Sequence, residues 1–594
     1  MKVVLTTLNA KYIHTCLAIR YLKSYCEHEF DIELTEYTIK DPVMNIVSDL
    51  YQRQADVIGF SCYIWNIEET IKVISMLRKV QPDVKIVLGG PEVSYDTKEW
   101  MERLSDADFI VMGEGEETFF HLLQQIRDEQ KYHFVFGAAY RNAAGEVLIN
   151  PGRPKLELND IPSPYRFQED LSDLGKRVVY FETSRGCPFS CQFCLSSIEV
   201  GVRYFDIERT KADILYLIEH GAKLIKFVDR TFNIKRDYAM EIFQFLIDNH
   251  QGCVFQFEIT ADIMRPEVLD FLAEHAPPGI FRFEIGVQST NDHTNELVKR
   301  RQNFSKLTRT VTKVKESGKI DQHLDLIAGL PDEDYHTFRK TFNDVFALEP
   351  EELQLGFLKM LRGTGLRLDA EKYGYVYMDH APYEMLSNKV MPFSDVVRLK
   401  RLEDVLEKYW NSHRMDFTMM HLMQREFDSP FDFFQAFGDY WESKGWQKIG
   451  HQLEDLFVRL EGFLTHHGVK RIDVALGLMK LDYFMNHKYK PRKIWWQMEL
   501  DKQEASTILR EAAAHPERIS EAFAKLGLSE KELHKHAVVE RLPFQASDYL
   551  GKEKTVLHAA EESSTIAIVV YQQREDEKPL LFLIPEGSMK LQAI

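Results

Sequence analysis

No stretch of the 594-residue sequence approaches the ~18 consecutive apolar residues that a membrane helix needs. The opening Met1-Lys2-Val3-Val4-Leu5-Thr6-Thr7 is too short and too polar on its far side for a signal peptide. The chain is therefore expected in the cytoplasm, without a membrane partner. Positive charge is also in deficit: 92 acidic side chains face 74 Lys and Arg, a formal net charge of -18. A field of that sign repels phosphate backbones, so nucleic acid is not an expected partner. Cysteine is scarce. Seven are present, an odd number, and three of them, Cys187, Cys191 and Cys194, crowd into eight positions. A disulfide framework would spread cysteines in pairs, so a reducing compartment and a thiolate metal site fit better. No repeat of solenoid period occurs, and no DNA-binding or kinase-like output segment is visible.

What is present is ordinary in composition, 44% apolar and 28% charged, and long enough for several domains. Residues 1–135 alternate strand and helix patterns, with strands expected at Val3–Leu8, Phe30–Tyr37, Val57–Cys62, Ile86–Gly89 and Phe109–Met112. Asn66 and Glu69 have capping-box spacing at the head of a helix running to Val80. Such alternation implies a Rossmann-like (flavodoxin-like) parallel α/β sheet. Residues 136–175 read as a linker, broken by Pro151, Pro154, Pro162 and Pro164. From 176 to 385 six βα units follow, beginning at strands Val178–Thr183, Leu224–Asp229, Val254–Ile259, Phe281–Gly286, His323–Ile327 and Leu353–Leu358. They predict a partial (βα)6 TIM-like barrel with its site at the strands' carboxyl ends. Residues 386–545 read as a mainly α-helical domain, in which the aromatic run Phe431–Trp441 is taken as core. A tail, 546–594, carries a hairpin expected from Ile566–Tyr571 and Leu580–Ile584 around Arg574-Glu575-Asp576-Glu577.

The segment that carries chemistry is Glu182-Thr-Ser-Arg-Gly-Cys187-Pro-Phe-Ser-Cys191-Gln-Phe-Cys194, just after the first barrel strand. Three soft thiolates on one short loop can hold three corners of a cubane cluster. With no fourth cysteine nearby, one iron is left for a substrate to coordinate. The alternative is structural zinc, which usually closes with four ligands. No His follows at finger spacing; the next is His220.

C-x3-C-x-(aromatic)-C after the first strand of a six-unit barrel resembles the radical S-adenosylmethionine (SAM) superfamily. The resemblance implies a [4Fe–4S] cluster on Cys187, Cys191 and Cys194 that binds SAM and cleaves it reductively to a 5′-deoxyadenosyl radical. It also implies a reducing partner such as flavodoxin or ferredoxin. Rim residues then take expected roles. Phe193 lies under adenine, and Asp229 accepts from the methionyl ammonium. Glu258, Glu284 and Gln288 face the nucleoside. Asp325-Leu-Ile327-Ala-Gly329-Leu330-Pro331 resembles the adenine-contacting segment, through Ile327 and Gly329. The family's usual Gly-Gly-Glu after the second strand is replaced by Asp229-Arg230-Thr231.

Ser61, Gly89-Gly90 and Gly113-Glu114-Gly115 end successive strands of the first domain, where glycines let backbone approach a bulky ligand. This order resembles the cobalamin-binding domain that precedes many radical SAM enzymes. Lys11-Tyr12-Ile13-His14-Thr15-Cys16-Leu17 offers His14, but lacks the Asp and Gly of the D-x-H-x-x-G segment that presents a cobalt-ligating histidine. Together the two resemblances imply C-methylation of an unactivated carbon in a small-molecule substrate. Cyclisation, oxygen insertion or another rearrangement is the enzymatic alternative. The group resembled contains the anaerobic magnesium-protoporphyrin monomethyl ester cyclase, and the helical region resembles an uncharacterised domain attached to such proteins. A cobalamin sensor would need an output segment. A methylthiotransferase acting on transfer RNA would need three further clustered cysteines, whereas Cys16, Cys26 and Cys62 are scattered.

Overall fold

A computed structural model describes residues 1–128, 131–142, 144–198, 201–550, 564–571 and 578–586. The chain divides into two units, Met1–Val396 and Val397–Ile594.

The first unit opens with β1 (Lys2–Asn9), β2 (Asp31–Thr38), β3 (Val57–Ser61), β4 (Lys85–Gly89) and β5 (Phe109–Val111). They form one parallel sheet in the order β2-β1-β3-β4-β5. Val3 to Asn9 and all of β3 are buried, as expected for strands covered on both faces. Strand order reverses between β1 and β3, and ligands of doubly wound sheets bind in the crevice outside such a point. Asn66 sits there, but not as a capping residue. Its side chain makes no cap bond. It accepts from Tyr63 N and donates to Leu8 O and Ser61 O, tying the ends of β1 and β3 together. The expected capping box is therefore absent; Glu69 instead accepts from Lys72. A second departure follows β5. The stretch read as linker from residue 136 begins with β6 (Ala138–Arg141) and β7 (Val147–Ile149), which extend the sheet, β6 antiparallel to β5 and β7 antiparallel to β6.

The barrel strands are β8 (Val178–Phe181), β11 (Leu224–Phe227), β12 (Val254–Ile259), β13 (Phe281–Gln288), β14 (Ile320–Ala328) and β15 (Glu352–Phe357); between β8 and β11 lie β9 (Ser184–Cys187) and β10 (Gly201–Tyr204). The six pair in parallel in the order β15-β14-β13-β12-β11-β8, an open, partial barrel. Phe-x-Phe alternation sets the faces. Phe227, Phe257, Phe281 and Phe283 pack outward with Phe232 and Phe243 at ring separations of 4.5–6.2 Å. The residues between them, Lys226, Gln256, Glu258, Glu284, His323 and Asp325, are only part-buried and face inward. A closed TIM barrel fills this space with apolar side chains; here it is a polar surface fit for a ligand. The free edge of β8 is capped by the loop after β1, where Val178 N donates to Ile13 O (2.7 Å) and Thr15 Oγ1 to Val178 O (2.9 Å).

The second unit is mainly helical, with helices Pro430–Ser443, Leu453–His467 and Ile472–Met485 at its centre. Phe431, Phe433, Phe434, Phe437 and Trp441 are all buried, so the aromatic run is core. The expected hairpin strands pair antiparallel as Thr565–Val570 and Leu580–Pro585, and a third strand, Ala537–Leu542, joins them. The turn at 574–577 lies outside the described residues. Asp482 is buried and accepts from Phe417 N, Thr418 N and Thr418 Oγ1 at 3.2, 2.9 and 2.6 Å, at the head of the helix Asp416–His421. Burial pushes its carboxyl up to about 8 against the pull of those three donors. Asp482→Ala would strand them without partners, at a cost of ~3 kcal/mol. A fall of several degrees in the thermal midpoint is the expected reading. Among the described residues, no helix is long and apolar enough to cross a membrane.

Candidate functional site

The cysteine loop grows out of the β9–β10 hairpin, in which Cys187 pairs with Gly201 and Gly186 with Val202. Gly186 has φ 102°, and a Cβ there would stand 2.0 Å from Gly201 O; only glycine fits. Cys187 and Cys191 are buried and Cys194 is half-buried. Ser197 Oγ donates to Cys194 O at 2.7 Å. The loop is gripped from two sides, by Gln192 N on Val298 O (2.9 Å) and Leu366 N on Gln192 O (2.8 Å). Burial raises the Cys187 and Cys191 thiols, while the Arg230 and Arg300 guanidiniums respectively draw them back toward the thiolate. Among the described residues, no three His, Cys, Asp or Glu side chains converge as ligands of one ion do. Thiolates on a cubane bind three different irons and need no such convergence. Three thiols on one glycine-turned loop beside two cations fit a [4Fe–4S] cluster.

The other expected SAM-facing residues divide into two groups. Glu258, Glu284, Gln288 and Ile327 all belong to the inward faces of β12, β13 and β14, with Glu258 and Glu284 side by side in register. Burial pushes Glu258 up to about 7, beside Arg230 at 3.8 Å. Against burial, Lys226 at 2.6 Å holds Glu284 below the usual carboxylate range. Gln288 is strained, with φ 69°, and its buried Oε1 has no partner among the described residues, which leaves an acceptor at the strand end that a ligand could use. Gly329 turns at φ 93°, where a Cβ would meet Met385 Sδ at 2.3 Å. Phe193 is half-buried on the cysteine loop.

Asp229 is placed differently from the expectation. It is 1% exposed, and its carboxylate accepts from Thr183 N, Thr183 Oγ1 and Ser184 Oγ. It therefore braces the turn between β8 and the cysteine loop, its carboxylate engaged by donors of the chain itself. Four inward or rim groups escaped the sequence reading: Glu182, Lys226, Arg300 and His323. Against burial, Asp325 at 3.1 Å and Glu352 at 3.3 Å raise His323 to about 10. None of these stands in a recognisable spacing; only the alternation along β14 hints that His323 and Asp325 share a face.

A cavity of about 660 Å³ runs from the carboxyl ends of β1, β3, β4 and β5 to the barrel rim. Ser61, Gly89, Gly90, Gly113, Glu114, Gly115 and His14 all line it, with Tyr180, Glu182, Arg185 and Arg230 from the barrel side. Gly90 has φ 109°, and a Cβ would lie 2.5 Å from Cys62 O. Glu114 pairs with Arg203 and accepts from Leu156 N (3.0 Å). His14 Nδ1 meets Tyr180 Oη at 2.9 Å. Burial, then Lys11, Lys226 and Arg177, lowers its pKa, so the ring is neutral at pH 7. Tyr180 thus orients the imidazole, a task that falls to an Asp in the D-x-H-x-x-G pattern. A cavity with a glycine-edged floor and mainly apolar walls suits a large planar ligand.

One guanidinium in its wall serves three carboxylates, Glu114 at 3.6 Å among them. Arg185 bonds Glu182 (2.8 Å) and Glu116 (2.6 Å), and burial lifts Glu182 from 4.5 to about 7. The folded state therefore keeps a proton that the unfolded chain has lost. That stability is fully present below 4.5 and disappears as pH rises through about 7. Glu182→Gln is expected to flatten the fall in thermal midpoint across that window, read by scanning fluorimetry.

The segment after β15 touches both sites. Arg362, 5% exposed, bonds Asp96 (2.9 Å), Glu99 (3.0 Å) and Tyr383 Oη (3.2 Å). Tyr383 Oη in turn donates to Glu92, beside Gly89 and Gly90. Three residues on, a Cβ at Gly365 would clash with Gln192 of the cysteine loop at 2.0 Å. Removing a buried cation leaves its carboxylates uncompensated. Arg362→Ala is expected to weaken hydroxocobalamin binding about tenfold or more, read by titration, with bound iron retained.

Three family models match along the chain: a B12 binding domain at residues 3–123, the radical SAM superfamily at 181–345, and a domain of unknown function, DUF4080, at 371–563. The chain is 28% identical to the cobalamin-dependent radical SAM methyltransferase TokK of Streptomyces tokunonensis, over 59% of this chain and 55% of that one. It is 24% identical to the anaerobic magnesium-protoporphyrin IX monomethyl ester cyclase of Rubrivivax gelatinosus, over 54% and 59%. It spans about half the length of the curated relatives it matches. In fold it is similar to the cobalamin-dependent SAM radical enzyme OxsB with aqua-cobalamin bound, at a TM-score of 0.56 and 17% identity, covering 81% of this chain and 79% of the other. The radical SAM domain implies a [4Fe–4S] cluster and SAM, and the B12-binding domain implies cobalamin. Along the chain, then, a stretch that matches a B12-binding domain is followed by one that matches the radical SAM superfamily and one that matches DUF4080.

Proposed function

We propose that the chain is a cobalamin-dependent radical SAM methyltransferase that adds a methyl group to an unactivated carbon of a small-molecule substrate. The observation that carries this reading is the single cavity. Residues expected to hold cobalamin share one space with Tyr180, Glu182, Arg185 and Arg230 of the barrel rim, and Arg230 reaches Glu258 at 3.8 Å, which supports a methyl donor and a radical addressing one substrate. When bound, the cluster with SAM supplies reductive cleavage to a 5′-deoxyadenosyl radical, and methylcobalamin supplies the methyl group.

The chain's own residues do the rest. Cys187, Cys191 and Cys194 would hold the cluster. Arg300, beside Cys191, offers a guanidinium to a carboxylate. Glu258, Glu284 and Gln288 offer acceptors to a nucleoside. Ser61, Gly89, Gly90, Gly113, Glu114 and Gly115 would wall the corrin, with His14 at its edge. The apolar stretch of the cavity keeps water from the reacting carbon. Seven free thiols and an oxidant-sensitive cluster suit the cytoplasm, with a low-potential electron carrier as reducing partner.

Methyl transfer can be tested without knowing the substrate. Reconstituted protein holding cob(I)alamin is mixed with SAM carrying a deuterated methyl group. Deuteromethylcobalamin and S-adenosylhomocysteine near one equivalent per chain are expected. Formation of 5′-deoxyadenosine without methylcobalamin would favour cyclisation, the reaction in the name of the Rubrivivax relative.

A further inference from the structure

We propose that the surface formed by Lys299, Arg301, Lys306 and Arg309 is the docking site for a small acidic one-electron carrier protein that reduces the cluster. The proposal rests on the assignment of the cluster to Cys187, Cys191 and Cys194, and locates how its electron arrives.

The charge is out of keeping with the rest of the chain. Between Lys299 and Lys319 there are eight Lys and Arg against one Glu, in a protein of net charge -18. Several of those cations are used internally: Lys313 pairs with Asp270, Lys315 with Glu349, and Lys319 donates to Glu274 O. Arg300 turns inward to Gly286 O and the Cys191 thiol. Lys299, Arg301, Lys306 and Arg309 remain exposed, with no carboxylate within ion-pair distance among the described residues. Of the nearby acids, Asp262 accepts from Asn303 N and Glu267 pairs with Arg236, while Glu296 is exposed three residues before Lys299. Lys306 and Arg309 stand three apart on the helix Phe304–Ser317, so they share a face. Four exposed cations with no ion-pair partner among the described residues repel one another and form a local positive field.

Position identifies the occupant. Val298, one residue before the patch, accepts the backbone N–H of Gln192 between Cys191 and Cys194. Leu366 N holds another side of that loop, on Gln192 O. Pro188 and Ser190 of the loop remain exposed. The patch therefore flanks an open approach to the cluster loop. An acidic carrier would be steered there by charge complementarity, which governs on-rate and register. The step is one electron: the carrier's low-potential flavin or iron–sulfur centre is oxidised by one, the cluster is reduced by one, and no bond or proton moves.

The test follows bleaching of the reconstituted cluster in a stopped-flow instrument, without SAM, so it is independent of methyl transfer. Flavodoxin hydroquinone is one reductant and reduced methyl viologen, a cation, is the other. For the parent protein, the rate with flavodoxin is expected to fall about tenfold or more as salt rises, because screening removes steering. The quadruple variant K299E/R301E/K306E/R309E, and the milder K306E/R309E, are expected to react with flavodoxin about tenfold or more slowly at low salt. Both should keep their iron and their rate with methyl viologen. Equal flavodoxin rates in parent and variants, or a salt-independent parent rate, would overturn the proposal. So would loss of binding to a fluorescent oligonucleotide with the flavodoxin rate unchanged, which would assign the patch to polyanions. A parent chain that assembles no cluster would instead refute the cluster assignment, and the docking proposal with it.

Discussion

Cys191→Ala is expected to abolish the iron–sulfur absorbance of the reconstituted protein while hydroxocobalamin stays bound. Two thiolates cannot hold a cubane against hydrolysis, and no other cysteine is at hand: Cys16, Cys26, Cys62 and Cys253 are buried elsewhere in the fold. Formation of 5′-deoxyadenosine should fall below about one thousandth of the parent rate, a barrier increase of ~4 kcal/mol. Corrin binding survives because the residues lining that cavity stand on a sheet with its own apolar core. Val3, Leu5, Ile19, Val87 and Leu122 pack in one cluster that includes none of the three cysteines. Iron analysis and corrin absorbance on one sample separate the two sites. Loss of both would mean that the barrel and the N-terminal sheet fail together.

Gly186→Val should empty the cluster site almost as completely without touching a sulfur. The substitution meets two obstacles. Its φ of 102° is closed to a β-branched residue, and its Cβ would press on Gly201 O at 2.0 Å. That oxygen belongs to the opposite strand of the hairpin that begins the loop, so relief requires opening β9 from β10 and moving Cys187. Bound iron is expected to drop to a tenth of the parent's or less, from strain of ~3 kcal/mol concentrated at one ligand. Gly201→Ala is the internal control. Gly201 also has positive φ, 116°, but nothing among the described residues lies within 4 Å of a Cβ there. It meets backbone strain alone, ~1–2 kcal/mol, and should retain most of its iron.

Both predictions arise from a segment that spacing made conspicuous, and the contrast with what spacing concealed is instructive. The barrel strands were legible because Phe255-x-Phe257-x-Ile259 and Phe281-x-Phe283-x-Ile285 alternate at the period of a strand. The cysteines were legible because three thiols on eight residues have few other uses. Asp229 was misjudged because its position at a strand end is visible in sequence, whereas the three hydroxyl and amide donors that consume it come from Thr183 and Ser184, 45 or more residues earlier. Asn66 has the spacing of a cap, but a buried amide with three carbonyl and hydroxyl partners across two strands is better satisfied there than at a helix end. Strands β6 and β7 were hidden by brevity and by the prolines that follow. Arg362 lies more than 250 residues from Asp96 and Glu99, and no local pattern announces such a bond. Local periodicity and ligand spacing speak from the sequence; which polar side chain answers which is decided by the folded sheet.

The most direct measurement reconstitutes the protein anaerobically with iron and sulfide, reduces it, adds SAM and quantifies metal and 5′-deoxyadenosine together. Three thiolates around a cluster with one open iron predict about four irons per chain and 5′-deoxyadenosine that appears only on reduction. Zinc in place of iron at Cys187, Cys191 and Cys194, or an iron-loaded, reduced protein that leaves SAM intact, would contradict the account.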